Sequence, residues 1–274
     1  MHILDENMKN INLRHVQALS MQRWVRKTQS IRATMKLTDY KALTFDVYGT
    51  LIDWETGMVN GLKPLTDRVG GLSRDDILEA HAFHESTTQR YTPAKTYSEI
   101  LAVVYKRLAE EWCVQVSWEE CLIYGASVKK WPAFADSAEA LAYLKDHYKL
   151  VVLSNVDNAS FAHSNAKLGV TFDAAFTAGD IGSYKPAPRN FDYMLENLAR
   201  MGIGKEHILH TAESMFHDHA PANAFGLANC WIYRRHNQEG FGATMNPGEM
   251  PSYDMMFHSM ADLVEAHKAE IAGA

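Results

Sequence analysis

Four short segments of the sequence carry side chains suited to nucleophilic chemistry. They contain Asp46 in FDVYGTL, Ser154 and Asn155 in VVLSN, Lys185 in SYKPAP, and Asp218 in TAESMFHDHAPA. A carboxylate such as that of Asp46 can act as a nucleophile when the protein holds it and partly removes its water. A neighbouring cation such as Lys185 would keep that carboxylate ionised. Asp46 is therefore the candidate nucleophile, provided that the fold brings the four segments together.

The residues beside these side chains suggest how the site is built. Thr50 can donate a hydrogen bond back to Asp46, and Gly49 allows a sharp turn between them. Ser154 and Asn155 offer a hydroxyl, an amide and backbone N–H groups to a substrate anion. We predict that these residues lie around one small anionic substrate.

Short apolar runs, each typical of a buried strand, recur along the chain and alternate with helical patterns. They are Ala42–Phe45, Leu150–Leu153, Ala174–Thr177, Ile208–Thr211 and Ala228–Tyr233. Strands that alternate with helices predict an α/β fold with a doubly wound parallel sheet. Because parallel strands all end at the same edge of a sheet, the four segments should converge there.

One part of the chain breaks this alternation. Residues 55–131 are almost entirely helical in pattern, with apolar residues three and four positions apart, and SWEE at Ser117–Glu120 has the form of a capping box. We predict that residues 37–54 and 132–274 form the α/β core, and that residues 55–131 form an inserted helical cap domain. The cap would lie over the carboxyl ends of the strands.

The bulk composition excludes several classes of protein. The formal charge of −6 gives no general attraction to nucleic acid or to acidic membranes, and no apolar run approaches the ~18 residues of a spanning helix. The three cysteines lie far apart without a CxxC pair, which fits a reducing cytoplasm better than a disulfide framework. Cytoplasmic location, with neither nucleic acid nor membrane as partner, is the expectation.

The first 36 residues differ from the rest of the chain. They hold seven Lys or Arg and two acidic residues, but no apolar stretch of the kind found in a secretory signal. We interpret residues 1–36 as a loosely held basic extension. A basic helix that binds a partner is the alternative.

The four segments together resemble the four motifs of the haloacid dehalogenase superfamily, and DVYGTL resembles the type II L-2-haloacid dehalogenases in particular. The resemblance extends from about Tyr40 to His267. It implies that Asp46 attacks substrate carbon or phosphorus and becomes a covalent ester, and that Lys185 steadies it. It further implies that Ser154 and Asn155 bind the substrate anion. Asp218 would hold the lysine and the hydrolytic water.

Tyr48 distinguishes between two reactions of this superfamily. Its phosphatases resemble one another in a DxD start, whose second aspartate protonates the leaving oxygen, and Tyr48 stands at that position here. A phenol with an ordinary pKa near ~10 is a weak acid for this task. Halide leaves without a proton, whereas alkoxide needs a general acid. Tyr48 therefore favours carbon–halogen chemistry, even if its side chain only packs in the wall of the site.

The expected function is hydrolytic dehalogenation of short 2-haloacids to 2-hydroxy acids through an Asp46 ester, without a cofactor. Two alternatives stay open. Glu213 and Asp218 lie on one loop and could hold Mg²⁺, as in a phosphatase acting on a small phosphomonoester. The fold could also bind a small anion without turning it over.

The cap departs from the dehalogenase pattern. Members of that group resemble one another in an arginine near the start of a cap helix, which takes the halide. The corresponding stretch here is GLSRDDILEAHAFHE, where Arg74 is close to the position and Asp75 or one of its neighbours is aligned with it. His81 or His84 could face the pocket instead. A homodimer formed through the cap is a further possibility.

The fourth motif departs as well, since it reads AESMFHD rather than the small polar residues usual in the family. His217 could act as general base for the hydrolytic water, with Glu55 orienting it. Tyr48, Glu55 and Glu213 are expected at the substrate. The aromatic residues Trp54, Tyr91 and Tyr97 are candidates for setting specificity.

Overall fold

A six-stranded parallel sheet forms the centre of the fold. In the computed structural model, which describes residues 35–273, its order is β3-β2-β1-β4-β5-β6. The strands are β1 (Ala42–Phe45), β2 (Lys149–Ser154), β3 (Ala174–Thr177), β4 (Ile208–Ala212), β5 (Ala228–Ile232) and β6 (Met255–Phe257). The predicted parallel sheet is confirmed. The sequence reading missed β6, because three apolar residues after a loop rich in Gly and Pro give no usable pattern.

Four of the five α-helices between β1 and β2 form the inserted helical segment. They are α1 (Trp54–Val69), α2 (Arg74–Tyr91), α3 (Tyr97–Glu111) and α4 (Trp118–Gly125). The predicted capping box at Ser117 is present, since Ser117 Oγ accepts from the Glu120 N–H at 3.2 Å and the Glu120 carboxylate accepts from the Ser117 N–H at 2.7 Å. The helical insertion is confirmed, whereas its division from the core at residues 55 and 131 stays a prediction.

The remaining helices cover the sheet. They are α5 (Ser137–Lys145), α6 (Asn158–Leu168), α7 (Ala178–Ile181), α8 (Pro188–Arg200), α9 (Ala220–Ala224) and α10 (Met260–Ala272). No helix within residues 35–273 has both the length and the apolar character needed to cross a bilayer. Of the basic extension predicted for residues 1–36, residues 1–34 lie outside the described part of the chain.

The sheet is buried on both faces, as a doubly wound fold requires. Every residue of β1 is buried; Leu43 and Phe45 belong to one apolar cluster and Ala42 to the other. This division follows from the alternation of side chains along a strand. The cluster that contains Phe45 continues into the cap through residues such as Met58 and Tyr97. Insertion and sheet therefore share one continuous apolar core.

The Asp136 side chain binds residues near the end of the chain, Arg234 and Met260, rather than capping the helix that follows it. Its backbone is αR, and its side chain makes no cap bond to α5. Its Oδ2 accepts from the N–H of Met260 at 2.8 Å and from Arg234 Nη1 at 2.9 Å. The sequence WPAFAD, which ends at Asp136, predicts that Asp136 or Ser137 caps α5, and for the side chains this prediction is wrong. Asp136 binds the first turn of α10, and Ser137 donates to the carbonyl of Leu51 at 2.8 Å.

The contact between Gly57 and Trp131 provides a test of how tightly the two ends of the inserted segment are packed together. A Cβ at Gly57 would lie 2.2 Å from Trp131 Cγ, and Trp131 is fully buried. We expect Gly57→Ala to lower the free energy of unfolding by about 1–3 kcal/mol, because overpacking forces the indole to shift. Chemical denaturation measures this. Gly179→Ala is the control, because its Cβ would meet its nearest neighbour at 3.4 Å; equal stability of the two variants would contradict the packing argument.

Candidate active site

Asp46 stands at the carboxyl end of β1, where its position is fixed by backbone and side-chain hydrogen bonds. Its N–H donates to the Thr211 carbonyl at 3.1 Å, which continues the pairing of β1 with β4. Gly49 has a φ of +99°, a conformation that favours glycine, and it turns the chain so that Thr50 comes back to the strand end. Thr50 Oγ1 donates to Asp46 Oδ2 at 2.8 Å, the contact expected from the sequence.

Lys185 joins the two candidate catalytic carboxylates. Its Nζ lies 2.9 Å from Asp46 Oδ1 and 2.7 Å from Asp218 Oδ1, and it donates to the Leu153 carbonyl at 3.0 Å. The residue is 2% exposed. The three donors of the ammonium group are therefore committed to three oxygens, one within β2 and the other two on residues that follow β1 and β4.

Asp218 lies on a single π-helical turn, Met215–His219, directly after β4. His210, in the middle of β4, places Nε2 2.9 Å from Asp218 Oδ1, and its Nδ1 lies 2.8 Å from Thr44 Oγ1. The sequence reading missed His210 and Thr44. Their signal was present, since both are polar residues inside strands that are otherwise apolar. Asp218 is thus held from below by the sheet and from the side by Lys185.

The electrostatics of this triad follow from burial and charge pairing. Burial alone would raise the pKa of Asp218, but Lys185 and His210 outweigh it and hold that pKa well below its usual range. Burial would lower the pKa of Lys185, yet Asp218 and Asp46 together raise it. For Asp46, burial raises the pKa while Lys185 opposes the rise. As an anion, Asp46 is less stabilised than Asp218, which suits a nucleophile.

The Asn155 side chain is committed to the loop that carries Lys185, whereas the substrate role expected for Ser154 stays a prediction. The Asn155 side chain is occupied by the Lys185 backbone, since its Oδ1 accepts from Lys185 N–H at 2.6 Å and its Nδ2 donates to Lys185 O at 3.0 Å. Ser154 Oγ is buried and has no hydrogen-bond partner among the described residues. Asn155 therefore acts as a brace for the lysine loop, although it also lines the cavity.

Tyr48 lies in the cavity wall with its hydroxyl turned toward α6. The hydroxyl lies 2.7 Å from Ser164 Oγ, and the ring contacts those of Tyr97 and Trp131. Burial raises the pKa of Tyr48 above its ordinary value. Its hydroxyl is thus both a weak acid and already hydrogen-bonded, which agrees with the sequence argument that the acid of the phosphatases is missing.

His217 lines the same cavity, but its predicted partner is wrong. Its Nδ1 lies 3.1 Å from Ser214 Oγ, and burial lowers the pKa of His217 to about 4. The imidazole is therefore neutral near pH 7. Glu55 does not orient it, because Arg235 Nη1 holds both Glu55 oxygens at 2.8 and 2.6 Å. That arginine comes from the loop after β5, which the sequence reading left without a role.

The cavity is bounded by the core loops on one side and by the cap on the other. Its lining comprises Asp46, Tyr48, Trp54, Glu85, Tyr97, Asn155, Val156, Lys185, Ser214, His217 and Asp218. Two aromatic residues proposed from the sequence, Trp54 and Tyr97, are among them, whereas Tyr91 is 74% exposed on the surface. Glu85 is a lining residue that the sequence reading did not single out.

The candidates for a halide-binding cap residue lie elsewhere. Arg74 pairs with Glu55 at 3.6 Å, and Asp75 accepts from Arg235 at 3.2 Å. His84 lies 2.6 Å from Glu111, and His81 is buried against Tyr124 inside the cap. Within residues 35–273, none of these four side chains lines the cavity, and no arginine does.

The oxygen ligands of a Mg²⁺ site are not assembled by this arrangement. Asp46 uses one carboxylate oxygen on Lys185 and the other on Thr50. Glu213, the second acid considered, does not line the cavity and lies 3.5 Å from Thr244 Oγ1. Across the described part of the chain, no three His, Cys, Asp or Glu side chains are grouped in a way that could hold a metal ion. The residues present do not fit the metal that the phosphatase alternative requires.

Comparison with known proteins agrees with this fold. The family model described as haloacid dehalogenase-like hydrolase matches residues 40–211, which is more than half of the chain. The chain therefore belongs to the haloacid dehalogenase-like hydrolases. No curated protein matches it significantly.

Solved structures resemble the fold at low sequence identity. The L-2-haloacid dehalogenase PA0810 is 20% identical with a TM-score of 0.65, and the match covers 86% of this chain and 100% of that one. The L-2-haloacid dehalogenase of Xanthobacter autotrophicus with chloropropionic acid covalently bound is 16% identical, with a TM-score of 0.67 and coverage of 84% and 98%. The putative HAD-hydrolase YfnB of Bacillus subtilis, bound to magnesium, is 18% identical, with a TM-score of 0.64 and coverage of 84% and 99%. These likenesses show the fold.

Lys185 should be required for stability as well as for chemistry. Lys185→Met leaves two buried carboxylates without their cation, and we expect it to lower the free energy of unfolding by about 3–5 kcal/mol. The double variant Lys185→Met/Asp218→Asn removes one of the stranded charges and should recover at least about 1 kcal/mol. Urea denaturation of both variants checks this. Equal stabilities of the two variants would contradict the argument that a buried carboxylate without its cation destabilises the fold.

Glu213 should make stability fall as the pH rises. Burial, then the charges of Glu55 and Asp46, raise the pKa of Glu213 to about 8 from 4.5. The folded state therefore retains a proton that the unfolded state has lost between these values, so stability is full below pH 4.5 and declines toward pH 8. We expect Glu213→Gln to reduce this decline in the free energy of unfolding by about 1–3 kcal/mol, because the partial exposure of the side chain limits the effect. Unfolding at pH 5 and pH 8 measures it, with the exposed Glu249→Gln as control; equal slopes in wild type and Glu213→Gln would contradict it.

Proposed function

We propose that this hydrolase removes halide from short 2-halocarboxylates through an ester on Asp46. The observation that carries the proposal is at Tyr48. The residue two positions after the nucleophile is a buried tyrosine whose hydroxyl is bonded to Ser164, so the leaving group receives no proton from it. A bond that breaks without protonation suits such a site, and carbon–halogen bonds do so. The dehalogenases that share the fold support the same class of substrate.

The first step is a displacement at carbon. An oxygen of Asp46 attacks the α-carbon, the new C–O bond forms as the carbon–halogen bond breaks, and halide leaves with the electron pair and with inversion. Lys185 and Thr50 hold the two oxygens of Asp46 at 2.9 and 2.8 Å, which fixes the direction of attack. Backbone N–H groups after β2 are proposed to hold the substrate carboxylate, since the Asn155 side chain is occupied.

The second step is hydrolysis of the ester. Water attacks the carbonyl carbon of esterified Asp46. The bond between that carbon and the ester oxygen breaks, and the 2-hydroxy acid is released. His217, neutral at pH 7 and at the cavity wall, is placed to accept the proton of this water. Ser214 Oγ contacts Nδ1 at 3.1 Å, which leaves the other ring nitrogen, Nε2, to accept this proton. No cofactor takes part in the proposed reaction.

The two alternative functions are less well supported. A phosphatase needs an acid for its leaving oxygen and oxygen ligands for Mg²⁺, and the arrangement of Tyr48, Glu213 and Asp218 provides neither. A protein that only binds an anion would not need Lys185 to hold Asp46 ionised beside the cavity. A cytoplasmic location and a homodimer formed through the cap remain predictions.

Oxygen transfer from Asp46 distinguishes the proposed mechanism from direct attack by water. In a single turnover of 2-chloropropanoate in H₂¹⁸O, the label should enter Asp46, and the lactate should contain unlabelled oxygen from the carboxylate. Mass spectrometry of the peptide that contains Asp46 detects the label. Asp46→Asn should abolish chloride release, whereas Tyr48→Phe should retain it within about threefold, because the hydroxyl contacts only α6.

The same assay tests His217. His217→Asn should slow hydrolysis about 10²–10⁴-fold and let the Asp46 ester accumulate after a burst of chloride.

Label found directly in the lactate after one turnover, or chloride release that persists in Asp46→Asn, would exclude the ester. Phosphate release from a generic monoester only when Mg²⁺ is added, without any halide release, would favour the phosphatase instead.

A further inference from the structure

Glu85 places a buried carboxylate on the cap wall of the cavity. It lies on α2, its side chain is 8% exposed, and it lines the cavity together with Asp46 and Lys185. Burial, and then the charge and side-chain hydrogen bonding of Glu85, raise the pKa of Tyr97, a second lining residue, so the carboxylate also faces the Tyr97 hydroxyl. An ionised group in such a position costs free energy unless something compensates it.

The compensation inside the protein is incomplete. Glu85 Oε1 accepts from Gln89 Nε2 at 2.8 Å. Glu85 Oε2 lies 3.3 Å from His81 Nδ1, yet neither atom has a hydrogen-bond partner within the part of the chain that the structure describes. The other ring nitrogen of His81 is engaged by the Tyr124 hydroxyl at 2.7 Å. Glu85 Oε2 therefore has close neighbours but no well-directed hydrogen bond from residues 35–273.

The charges around the cavity show what could use that oxygen. Its described lining holds three carboxylates, Asp46, Asp218 and Glu85, and one cation, Lys185. The ammonium group of Lys185 is already bonded to Asp46 and Asp218. His217 adds no charge near pH 7, because burial lowers its pKa to about 4. The cap wall is consequently negative, and it would repel an anionic group and attract a cationic one.

We propose that Glu85 is a specificity-determining residue that binds an ammonium group of the substrate. On this assignment, which rests on the proposed function, the substrates are short 2-halocarboxylates that also carry a primary amine. The reacting carbon meets Asp46, and the amine meets Glu85 across the cavity. Glu85 Oε2 accepts a hydrogen bond from the ammonium group, which supplies the partner that the buried oxygen lacks.

Binding of unreactive probes tests this assignment without any catalysis. By calorimetry at pH 7, β-alanine should bind the full-length protein at least about tenfold more tightly than propanoate. Glu85→Gln should remove that preference, whereas Glu79→Gln, an exposed acid on the same helix, should retain it. His81→Asn removes the internal neighbour but leaves the carboxylate, and it should also retain the preference. If Glu85 has only a structural role, Glu85→Gln should change the melting temperature and leave the preference for β-alanine unchanged.

The outcomes separate this inference from the proposed function. If wild-type protein binds propanoate as tightly as β-alanine, or if Glu85→Gln keeps the preference, the inference is overturned, whatever the halide assay shows. If β-alanine is preferred but neither 2-chloropropanoate nor 3-amino-2-chloropropanoate releases chloride, the ammonium site stands and the proposed dehalogenation falls. A higher kcat/KM for the amino substrate, lost in Glu85→Gln, would support both.

Discussion

The site depends on one interaction, the sharing of Lys185 between Asp46 and Asp218. A buried ammonium group is stable only with partners, and two buried carboxylates repel each other without a cation between them. Three hydrogen bonds at 2.7, 2.9 and 3.0 Å satisfy every donor of Lys185 and tie the lysine to β2 and to the residues that follow β1 and β4. The parallel sheet makes this possible, because it brings the ends of strands that are far apart in sequence to one edge.

The surrounding residues are organised around keeping this triad in place. Asn155 clamps the backbone of Lys185, Thr50 holds the second oxygen of Asp46, and His210 supports Asp218 from within the sheet. Most polar groups around the triad thus support the nucleophile rather than contact the substrate. In the proposed function, substrate recognition is left to the cavity wall, which includes Glu85 and the aromatic residues of the cap.

Sequence patterns predicted the class of fold and the chemical groups well, for identifiable reasons. Apolar runs such as Ala42–Phe45 fix strands whose two faces are buried, and the alternation with helices leaves parallel pairing as the consistent outcome. Thr50 was predictable because its target is four residues away, so local turn geometry determines the contact. The prediction that Asp136 caps α5 failed because distant groups, Arg234 and Met260, compete for its carboxylate.

By itself, the sequence determined the doubly wound sheet, the helical insertion, the convergence of Asp46, Lys185 and Asp218, and the tyrosine in place of an acid. These depend on hydrophobic periodicity and on motifs within a few residues. Tertiary structure alone decided the partners of the polar side chains. It committed Glu55 to Arg235, 180 positions away, and placed Glu85 rather than an arginine at the cavity. A side chain's partner depends on which elements pack beside it. Local sequence patterns do not show which distant residue that partner will be.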